Sequence, residues 1–340
     1  MKAIGFTEHL NIERQNSLFD FETELPDLRS HDLLVKVSAV SVNPVDTYMR
    51  KGGHGKFKKP KIIGYDACGI VEDVGYSVTL FKPGDKVYYA GSILRSGSNS
   101  EYQAVDERIV GKAPSTITDS EIAAMPLTSL TAYEALFEQL EILFDKEVNT
   151  GKSILIINGT GGVGSIATQL AHLAGLTVIS TASHLKGINW TKNHGADLVV
   201  NHHNDLVGQV RKLGYKYVDY ILGLNDIDGH WKEMCELIKP DGYIASITEN
   251  KKPINLRLLT KKRGHFAWEW MYTKSYYETK NIQTQHDILN HIAKLIDNGH
   301  VKSTLTKEIT PLNANNLRKA HKLVENGHMI GKVVVKGWEN

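Results

Sequence analysis

The segment SILIINGTGGVGSIATQLAHLAG, residues 153–175, decides the fold of this chain. Its first six residues form an apolar run typical of a buried strand, and a helical pattern with apolar residues at three- and four-residue steps follows. Between them lies the spacing Gly-x-Gly-x-x-Gly, formed by Gly159, Gly161 and Gly164. A glycine turn between a strand and an amphipathic helix is the context of a dinucleotide-binding loop.

Each glycine of this loop has a physical role in the predicted site. Gly159 permits the tight turn, Gly161 lets the backbone approach a pyrophosphate, and Gly164 lets helix and strand pack closely. The positive end of the helix then faces the phosphates. The alternative is a glycine turn with a purely structural role. The loop residues that we predict to bind the cofactor are Gly159, Thr160, Gly161, Gly162, Val163 and Gly164.

The residues after the second predicted strand favour NADPH over NADH. An NAD-specific site places an acidic residue about 20 positions after the first glycine, where it holds the ribose 2′-hydroxyl. Here the sequence reads VISTASHLKG, and no carboxylate occurs from residue 148 to residue 196. Hydroxyls and cations are suitable partners for a 2′-phosphate. The alternative is that the serines cap the next helix and the lysine is solvated. The candidate cofactor contacts beyond the loop are Ser180, Ser183, His184, Lys186 and His202.

Strand and helix patterns alternate from residue 153 to residue 248. Helical patterns separate five apolar runs, SILIIN, LTVIST, DLVV, VDYILG and YIASIT. This alternation specifies a parallel sheet covered on both faces, so the predicted fold class is α/β with a doubly wound Rossmann sheet. The first third instead has short β runs and tight turns, typical of a small barrel or sandwich. The tail, with two helical patterns and the strand KVVVK, is expected to fold back on that first domain.

Length and composition describe an ordinary globular protein. A chain of 340 residues is long enough for two domains. The net charge of +2 does not single out nucleic acid or an anionic membrane as a partner. Two cysteines, Cys68 and Cys235, imply no disulfide framework, and we expect a cytoplasmic protein. No stretch approaches the roughly 20 apolar residues that span a bilayer.

Six motifs occur in order along the chain: SVNPVDTYMRKG (41–52), IIGYDACGIVEDVG (62–75), FKPGDKVYYAG (81–91), MPLTSLTAYEAL (125–136), NGTGGVGS (158–165) and TASHLKGINWTKNHGAD (181–197). Together they resemble the medium-chain dehydrogenase/reductase superfamily, in its quinone oxidoreductase-like branch, which includes zinc-type alcohol dehydrogenase-like proteins. The resemblance implies a GroES-like β-barrel domain built from both chain ends, an inserted Rossmann domain, and an active-site cleft between them. We accordingly assign residues 1–127 and 276–340 to the GroES-like catalytic domain and residues 128–275 to the Rossmann domain.

The same resemblance indicates that zinc is absent. In zinc-dependent members the catalytic metal is held by a Cys in the segment matching SVNPVD, a His in that matching GYDACG, and a later Cys or Asp. This chain has Asn43 in the first segment and Tyr65-Asp66 in the second, and its counterpart of the structural zinc lobe, AGSILRSGSNSEYQ, contains no cysteine. Zn²⁺ takes thiolate, imidazole or carboxylate ligands, so we predict no metal. We also discount chelation by His202 and His203, because neighbours at a strand end point to opposite sides.

The predicted absence of a metal favours conjugated carbonyl compounds over simple alcohols as substrates. Simple alcohols lose the Lewis acid that stabilises their alkoxide, whereas hydride addition to a quinone or an α,β-unsaturated carbonyl leaves a delocalised anion that hydrogen bonds stabilise. We therefore predict an NADPH-dependent quinone or enone oxidoreductase. By motif position, the resemblance implies that Asn43, Asp46, Tyr48 and Thr131 lie at the nicotinamide end of the cleft. Tyr48 would donate to the substrate oxygen, Asn43 would orient it, and Asp46 would support the loop.

Several alternatives stay open. The Asn43-Pro44 pair can simply make a turn, and Tyr48 can simply pack. The segment FAWEWMY, residues 266–272, can place Trp268 and Trp270 in a pocket wall, although an interface strand of a homodimer is the favoured interpretation. The remaining functional alternatives are a zinc-dependent alcohol dehydrogenase with unusual ligands and a non-catalytic NADPH-binding sensor or structural protein.

Overall fold

The computed structural model describes residues 1–338 and divides the chain into two compact units. The first unit comprises Met1–Leu127 together with the segment that begins at Tyr272, and the second comprises Thr128–Met271. The return to the first unit therefore lies after Met271 rather than after residue 275. We call the first the barrel unit and the second the Rossmann unit.

The strands are numbered in chain order through both units. They are β1 (Lys2–Glu8), β2 (Phe19–Glu22), β3 (Asp32–Val42), β4 (Lys56–Ile62), β5 (Ala67–Val74), β6 (Lys86–Tyr89), β7 (Tyr102–Asp106), β8 (Val110–Lys112), β9 (Ser153–Ile157), β10 (Thr177–Thr181), β11 (Leu198–Val200), β12 (Val218–Gly223), β13 (Ile238–Ser246), β14 (His265–Trp268), β15 (Leu305–Ile309) and β16 (Lys332–Lys336).

The helices follow the same numbering. They are α1 (Pro44–Lys51), α2 (Asp119–Ala123), α3 (Pro126–Tyr133), α4 (Lys146–Asn149), α5 (Gly162–Leu173), α6 (Leu185–Asn193), α7 (Leu206–Lys212), α8 (Ile227–Leu237), α9 (Arg257–Thr260), α10 (Thr273–Tyr276), α11 (Thr284–Asp297) and α12 (Ala314–Glu325). Short 3₁₀ helices occupy Gln15–Ser17 and Glu107–Ile109. None of the helices in the described 338 residues has both the length and the apolar character that a membrane crossing requires.

Two sheets form the barrel unit. One has the order β2-β1-β4, and the other has the order β15-β16-β3-β5-β6-β8, with β7 also paired to β3. The terminal strand β16 lies antiparallel on β3, with Val333 opposite Val42 and Val335 opposite Val40. The C-terminal tail therefore completes the sheet begun by the N-terminal part, as the sequence predicts.

The Rossmann unit contains the parallel sheet that the alternating pattern predicts, in the order β11-β10-β9-β12-β13-β14. All five neighbouring pairs are parallel. Strand β9 lies in the middle of this order, and all five of its residues are buried. The α/β fold class is thereby confirmed. The sixth strand of the sheet, β14, lies at its edge beside β13 and contains the first three residues of FAWEWMY, for which a strand is the favoured interpretation.

Two acidic side chains are buried together in the Rossmann unit. Helix α3 continues into a π-helical segment, Glu134–Gln139, and Glu134 is 2% exposed, while Glu269 is 4% exposed. Burial, and then the neighbouring Glu134 carboxyl group, raise the pKa of Glu269. The pair therefore holds a proton more readily than two exposed carboxyl groups, and a shared proton allows a hydrogen bond between them.

Candidate functional site

The glycine loop joins the end of β9 to the start of α5 and is tied to β10. Asn158 has a φ of 68°, a left-handed conformation that asparagine tolerates better than most residues. Its backbone N–H donates to Thr181 Oγ1 at 2.8 Å, and the N–H of Gly159 donates to the Thr181 carbonyl at 3.2 Å. These bonds fix the loop on the carboxyl end of the sheet, where open α/β sheets bind ligands.

The three motif glycines meet different surroundings. A Cβ on Gly159 would lie 1.7 Å from Ser180 Oγ, and a Cβ on Gly164 would lie 2.3 Å from the Asn158 carbonyl oxygen. A side chain at Gly164 would overlap the backbone, and a side chain at Gly159 would have to displace the Ser180 hydroxyl, so packing disfavours a side chain at both positions. A Cβ on Gly161 would meet only the flexible Asn158 amide, at 3.3 Å. Gly161 is partly exposed, so its backbone remains open to a ligand.

Helix α5 begins at this loop with Gly161 as its N-cap. Its first turn contains no acidic residue, so the positive end of its dipole is not compensated there by a carboxylate of the helix. Ser165 Oγ donates to the Gly161 carbonyl at 2.8 Å and accepts from Trp190 Nε1 at 2.7 Å. The loop and the first turn fit the pyrophosphate of a dinucleotide, and the predicted contacts Thr160, Gly162 and Val163 are all partly exposed.

The candidate 2′-phosphate residues divide into two groups. Ser183, His184 and Lys186 are exposed at the start of α6, whose N-cap is His184. Ser180 is fully buried in β10, directly behind Gly159. The structure therefore brings three of the four to one exposed turn and places Ser180 in the interior.

His202 and His203 lie on a turn after β11, which ends at Val200. Their ring centroids are 4.2 Å apart, so the argument that they point to opposite sides is wrong: strand alternation does not apply beyond the strand. Burial, followed by the nearby His203 and His230, lowers the pKa of His202 to about 4, which keeps its imidazole neutral. No group of three or more His, Cys, Asp or Glu residues between Met1 and Trp338 is arranged to hold a metal ion.

In the barrel unit, the sequence NPVD begins α1 with the pattern of a capped helix. Asn43 is the N-cap, Pro44 is the first helical residue, and the Asp46 carboxylate accepts a hydrogen bond from the Asn43 N–H at 2.7 Å. Asp46 is 1% exposed, and its Oδ1 has no hydrogen-bond partner within residues 1–338. Burial is the main reason that the pKa of Asp46 is raised to about 7. The carboxylate thus holds the start of the helix.

A buried lysine meets Asn43 and Asp66. Lys332 Nζ donates to Asp66 Oδ2 at 3.0 Å, to Asn43 Oδ1, and to the Val42 carbonyl at 3.3 Å. Asn43 Nδ2 donates to the same Asp66 oxygen at 2.7 Å, while Asp66 Oδ1 accepts from the Leu127 N–H at 2.7 Å. Burial raises the pKa of Asp66. The positive charge of Lys332 is the largest of the effects that lower it. We call Asn43, Asp66 and Lys332 the buried triad.

Lys332 is not among the site residues predicted from the sequence, although the sequence contains one signal for it. Lys332 precedes the apolar run VVV at the start of the terminal strand. A lysine at such a position is normally exposed, but Lys332 is 5% exposed. Its role becomes visible only when β16 pairs with β3 and brings it beside Asn43.

The other predicted catalytic residues belong to different elements. Tyr48 lies on α1 like Asp46, but it is 64% exposed. Thr131 is 5% exposed and belongs to α3 in the Rossmann unit. Tyr65 is buried, and burial raises the pKa of its phenol, which therefore stays protonated. Tyr65 packs edge-on against Tyr272, with ring centroids 5.7 Å apart.

The positions that the resemblance assigns to zinc ligands fit zinc poorly. The side-chain oxygens of Asn43 and Asp66 already accept from Lys332, and the Tyr65 phenol is protonated. The loop at the structural-lobe position is instead held by Arg95, whose two guanidinium nitrogens each contact the Asp32 carboxylate at 2.6 Å. Zinc prefers thiolate, imidazole or ionised carboxylate, and the one carboxylate of this donor set, Asp66, is already paired with the Lys332 ammonium.

Comparison with known proteins relates both parts of the chain to dehydrogenases. Residues 29–115 match the alcohol dehydrogenase GroES-like domain, and residues 194–335 match the zinc-binding dehydrogenase family. A zinc-type alcohol dehydrogenase-like protein of Staphylococcus epidermidis is 42% identical over 335 residues, covering 98% of this chain and 99% of that protein. A chloroplastic NADPH-dependent alkenal/one oxidoreductase of Arabidopsis thaliana is 29% identical over 323 residues, covering 92% of this chain and 73% of that protein.

Solved structures show the same relationship. A Rhizobium etli protein solved as a candidate zinc-dependent alcohol dehydrogenase has a TM-score of 0.94 and 42% identity, covering 100% of this chain and 99% of that one. The quinone oxidoreductase of Escherichia coli, complexed with NADPH, has a TM-score of 0.82 and 25% identity, covering 99% of this chain and 100% of that one.

The contact between Gly159 and Ser180 gives a first prediction. Gly159→Ala should weaken binding of the nicotinamide cofactor about tenfold or more and destabilise the protein by about 1–3 kcal/mol, because the added methyl group must displace Ser180 Oγ. Adding Ser180→Ala should recover part of both losses, since the nearest remaining Ser180 atom, Cβ, would lie at 3.1 Å. Fluorescence titration with NADPH and thermal melting measure the two effects, with Ser180→Ala alone as the control. Unchanged binding by Gly159→Ala would contradict this description of the loop.

Proposed function

We propose that this chain, which belongs to the medium-chain dehydrogenase/reductase superfamily in its quinone-oxidoreductase-like branch, uses NADPH to reduce a quinone or an α,β-unsaturated carbonyl compound without zinc. It is an oxidoreductase of that superfamily, and the proposal concerns its cofactor, its acceptor and its independence of metal. The observation that carries the proposal is the buried triad, in which an ammonium group binds side-chain oxygens in the two segments that hold zinc ligands in zinc-dependent members.

The choice of NADPH is supported by the charge around the second Rossmann strand. An exposed lysine, Lys186, follows two exposed hydrogen-bonding residues, Ser183 and His184. No carboxylate accompanies them between residues 148 and 196. A 2′-phosphate would therefore meet a cation and hydrogen-bond donors rather than a repelling acid. The Escherichia coli relative was solved with NADPH, which agrees with this choice.

The residues of the chain would bind NADPH and would orient and polarise the acceptor. The glycine loop and the first turn of α5 would hold the pyrophosphate, and Lys186 the 2′-phosphate. NADPH supplies the hydride when it is bound. Asn43 would orient the acceptor, Asp46 would support the start of α1, Tyr48 would donate a hydrogen bond to the acceptor oxygen, and Thr131 would contribute from α3.

A conjugated acceptor suits these residues. Hydride addition to a quinone or enone spreads the negative charge over several atoms, so hydrogen bonds suffice to stabilise it. The reduction of a simple carbonyl gives a localised alkoxide, for which dehydrogenases commonly use a metal Lewis acid. The Arabidopsis thaliana relative is named for an alkenal/one substrate, which supports the same substrate class.

We further propose a cytoplasmic homodimer. Both cysteines are free and buried thiols, as expected in a reducing compartment. Strand β14 forms an edge of the Rossmann sheet. Its last residue, Trp268, is 43% exposed, and Trp270, just after the strand, is 44% exposed. Exposed aromatic residues on an edge strand favour pairing with a second copy.

The main test of function is a stopped-flow assay of nicotinamide absorbance with quinones, enals and simple aldehydes. We expect faster oxidation of NADPH than of NADH, and faster turnover of conjugated acceptors than of simple aldehydes. Lys186→Glu should raise KM for NADPH about 10- to 100-fold, because it removes a charge-assisted contact with phosphate, and should leave KM for NADH nearly unchanged.

Lys192→Glu provides a matched control, because Lys192 is exposed on the same helix. Alcohol oxidation that depends on stoichiometric zinc would instead favour the metal-dependent alternative. Tight NADPH binding with no turnover of any acceptor would favour the sensor or structural alternative.

The role of Tyr48 can be tested separately. Tyr48→Phe should lower kcat/KM for the acceptor about tenfold or more, because it removes the proposed donor to the developing anion. NADPH affinity should not change. Tyr76→Phe is the control, since Tyr76 is 93% exposed in the same unit. Equal kcat/KM values for the two variants would assign Tyr48 a packing role only.

The homodimer predicts a molar mass twice the 37.9 kDa of the chain. Light scattering coupled to gel filtration measures it. Trp268→Lys should shift the protein toward the monomer, because the substitution buries a charge in the proposed interface. Tyr76→Lys is the matched control, because Tyr76 is 93% exposed and lies in the barrel unit. A monomeric wild-type protein would refute this arrangement.

A further inference from the structure

The start of β16 places a lysine side chain inside the barrel unit. Strand pairing sets Val333 opposite Val42, so Lys332 falls beside Asn43, the residue that follows Val42 in the chain. The backbone N–H of Lys332 donates to the Thr304 carbonyl at 2.8 Å. Backbone pairing and side-chain contacts therefore both fix the position of the ammonium group.

The ammonium has a full set of acceptors. Lysine Nζ can donate three hydrogen bonds, and Lys332 directs them to the Val42 carbonyl, Asn43 Oδ1 and Asp66 Oδ2. Asp66 and Asn43 are 0% and 1% exposed. A carboxylate in such surroundings requires a cation or several donors, and Lys332 is the cation in contact with it.

The same contacts decide the orientation of the Asn43 amide. Its nitrogen donates to Asp66 Oδ2 at 2.7 Å, and its oxygen accepts from Lys332. A rotation of the amide by 180° would place its NH₂ group against the ammonium and its oxygen against the carboxylate. Both contacts would then be repulsive, so only one orientation is compatible with the triad.

We propose that the Lys332 ammonium takes the place of a metal ion in the barrel unit, and that Lys332 is a positioning residue which fixes the Asn43 amide for the reaction. A metal ion would have to compete for the two oxygens that Lys332 already binds. The part that concerns Asn43 rests on the proposed function, whereas the exclusion of zinc does not.

Zinc content provides a test that needs no turnover. The full-length protein is incubated with excess Zn²⁺, desalted and analysed for bound metal. We expect well below one zinc ion per chain in the wild type. Retention of about one zinc ion per chain, lost on Asp66→Asn, would overturn the proposal.

Removal of the ammonium is tested with Lys332→Met. We expect a melting temperature lower by about 5 to 10 °C, because Asp66 loses its buried cation. We also expect kcat to fall about 10- to 100-fold, as is typical when a residue that orients an active-site group is lost, with the dissociation constant for NADPH nearly unchanged. Lys336→Met is the matched control, because Lys336 lies on the same strand and pairs with Glu308 at the surface.

A double variant separates stability from positioning. Lys332→Met with Asp66→Asn removes both buried charges, so much of the melting temperature should return while kcat stays low, because Asn43 Oδ1 still lacks its donor. Recovery of both the melting temperature and kcat in the double variant would show that Lys332 acts on stability alone and would overturn its positioning role. If the wild type reduces no acceptor, the proposed function fails, whereas zinc content and melting temperatures still decide whether the ammonium replaces a metal.

Discussion

The buried contact between Lys332 and Asp66 links distant parts of the barrel unit. Asp66 follows Tyr65 in the loop before β5, and its second oxygen accepts from the N–H of Leu127. Lys332 comes from the last strand and reaches the N-cap of α1. Because an unpaired buried charge is strongly destabilising, these segments hold each other in place. The position of Asn43 therefore depends on the pairing of the last strand of the chain.

The Rossmann unit depends on a different constraint, which is steric. Gly159 lies against Ser180, and Gly164 lies against the backbone of Asn158, so a side chain at either position would force neighbouring atoms to move. Gly161 is free of such contacts and stays accessible. The motif thus combines two glycines required by packing with one that leaves room for a ligand. This division explains how a short sequence pattern can specify both a turn and a binding surface.

Local patterns predicted the fold well, and contacts between distant residues were harder to foresee. Strands β9 to β13 overlap the five apolar runs that predict them, and the glycine turn lies between a strand and a helix as its spacing indicates. The burial of Ser180 was missed, because periodicity does not reveal which hydroxyl lies beneath a neighbouring loop. The pairing of Glu134 with Glu269 was missed for a similar reason, since each belongs to a separate element.

The triad also limits the chemistry available to the barrel unit. Lys332 is 5% exposed and already has three acceptors, so it has no donor left for a substrate oxygen. It can act on a reaction only through the group that it orients, Asn43. An ammonium saturated in this way cannot replace the Lewis acidity of a metal. On the proposed function, the acceptor itself must therefore delocalise the charge that hydride addition creates, and conjugated carbonyls and quinones do so.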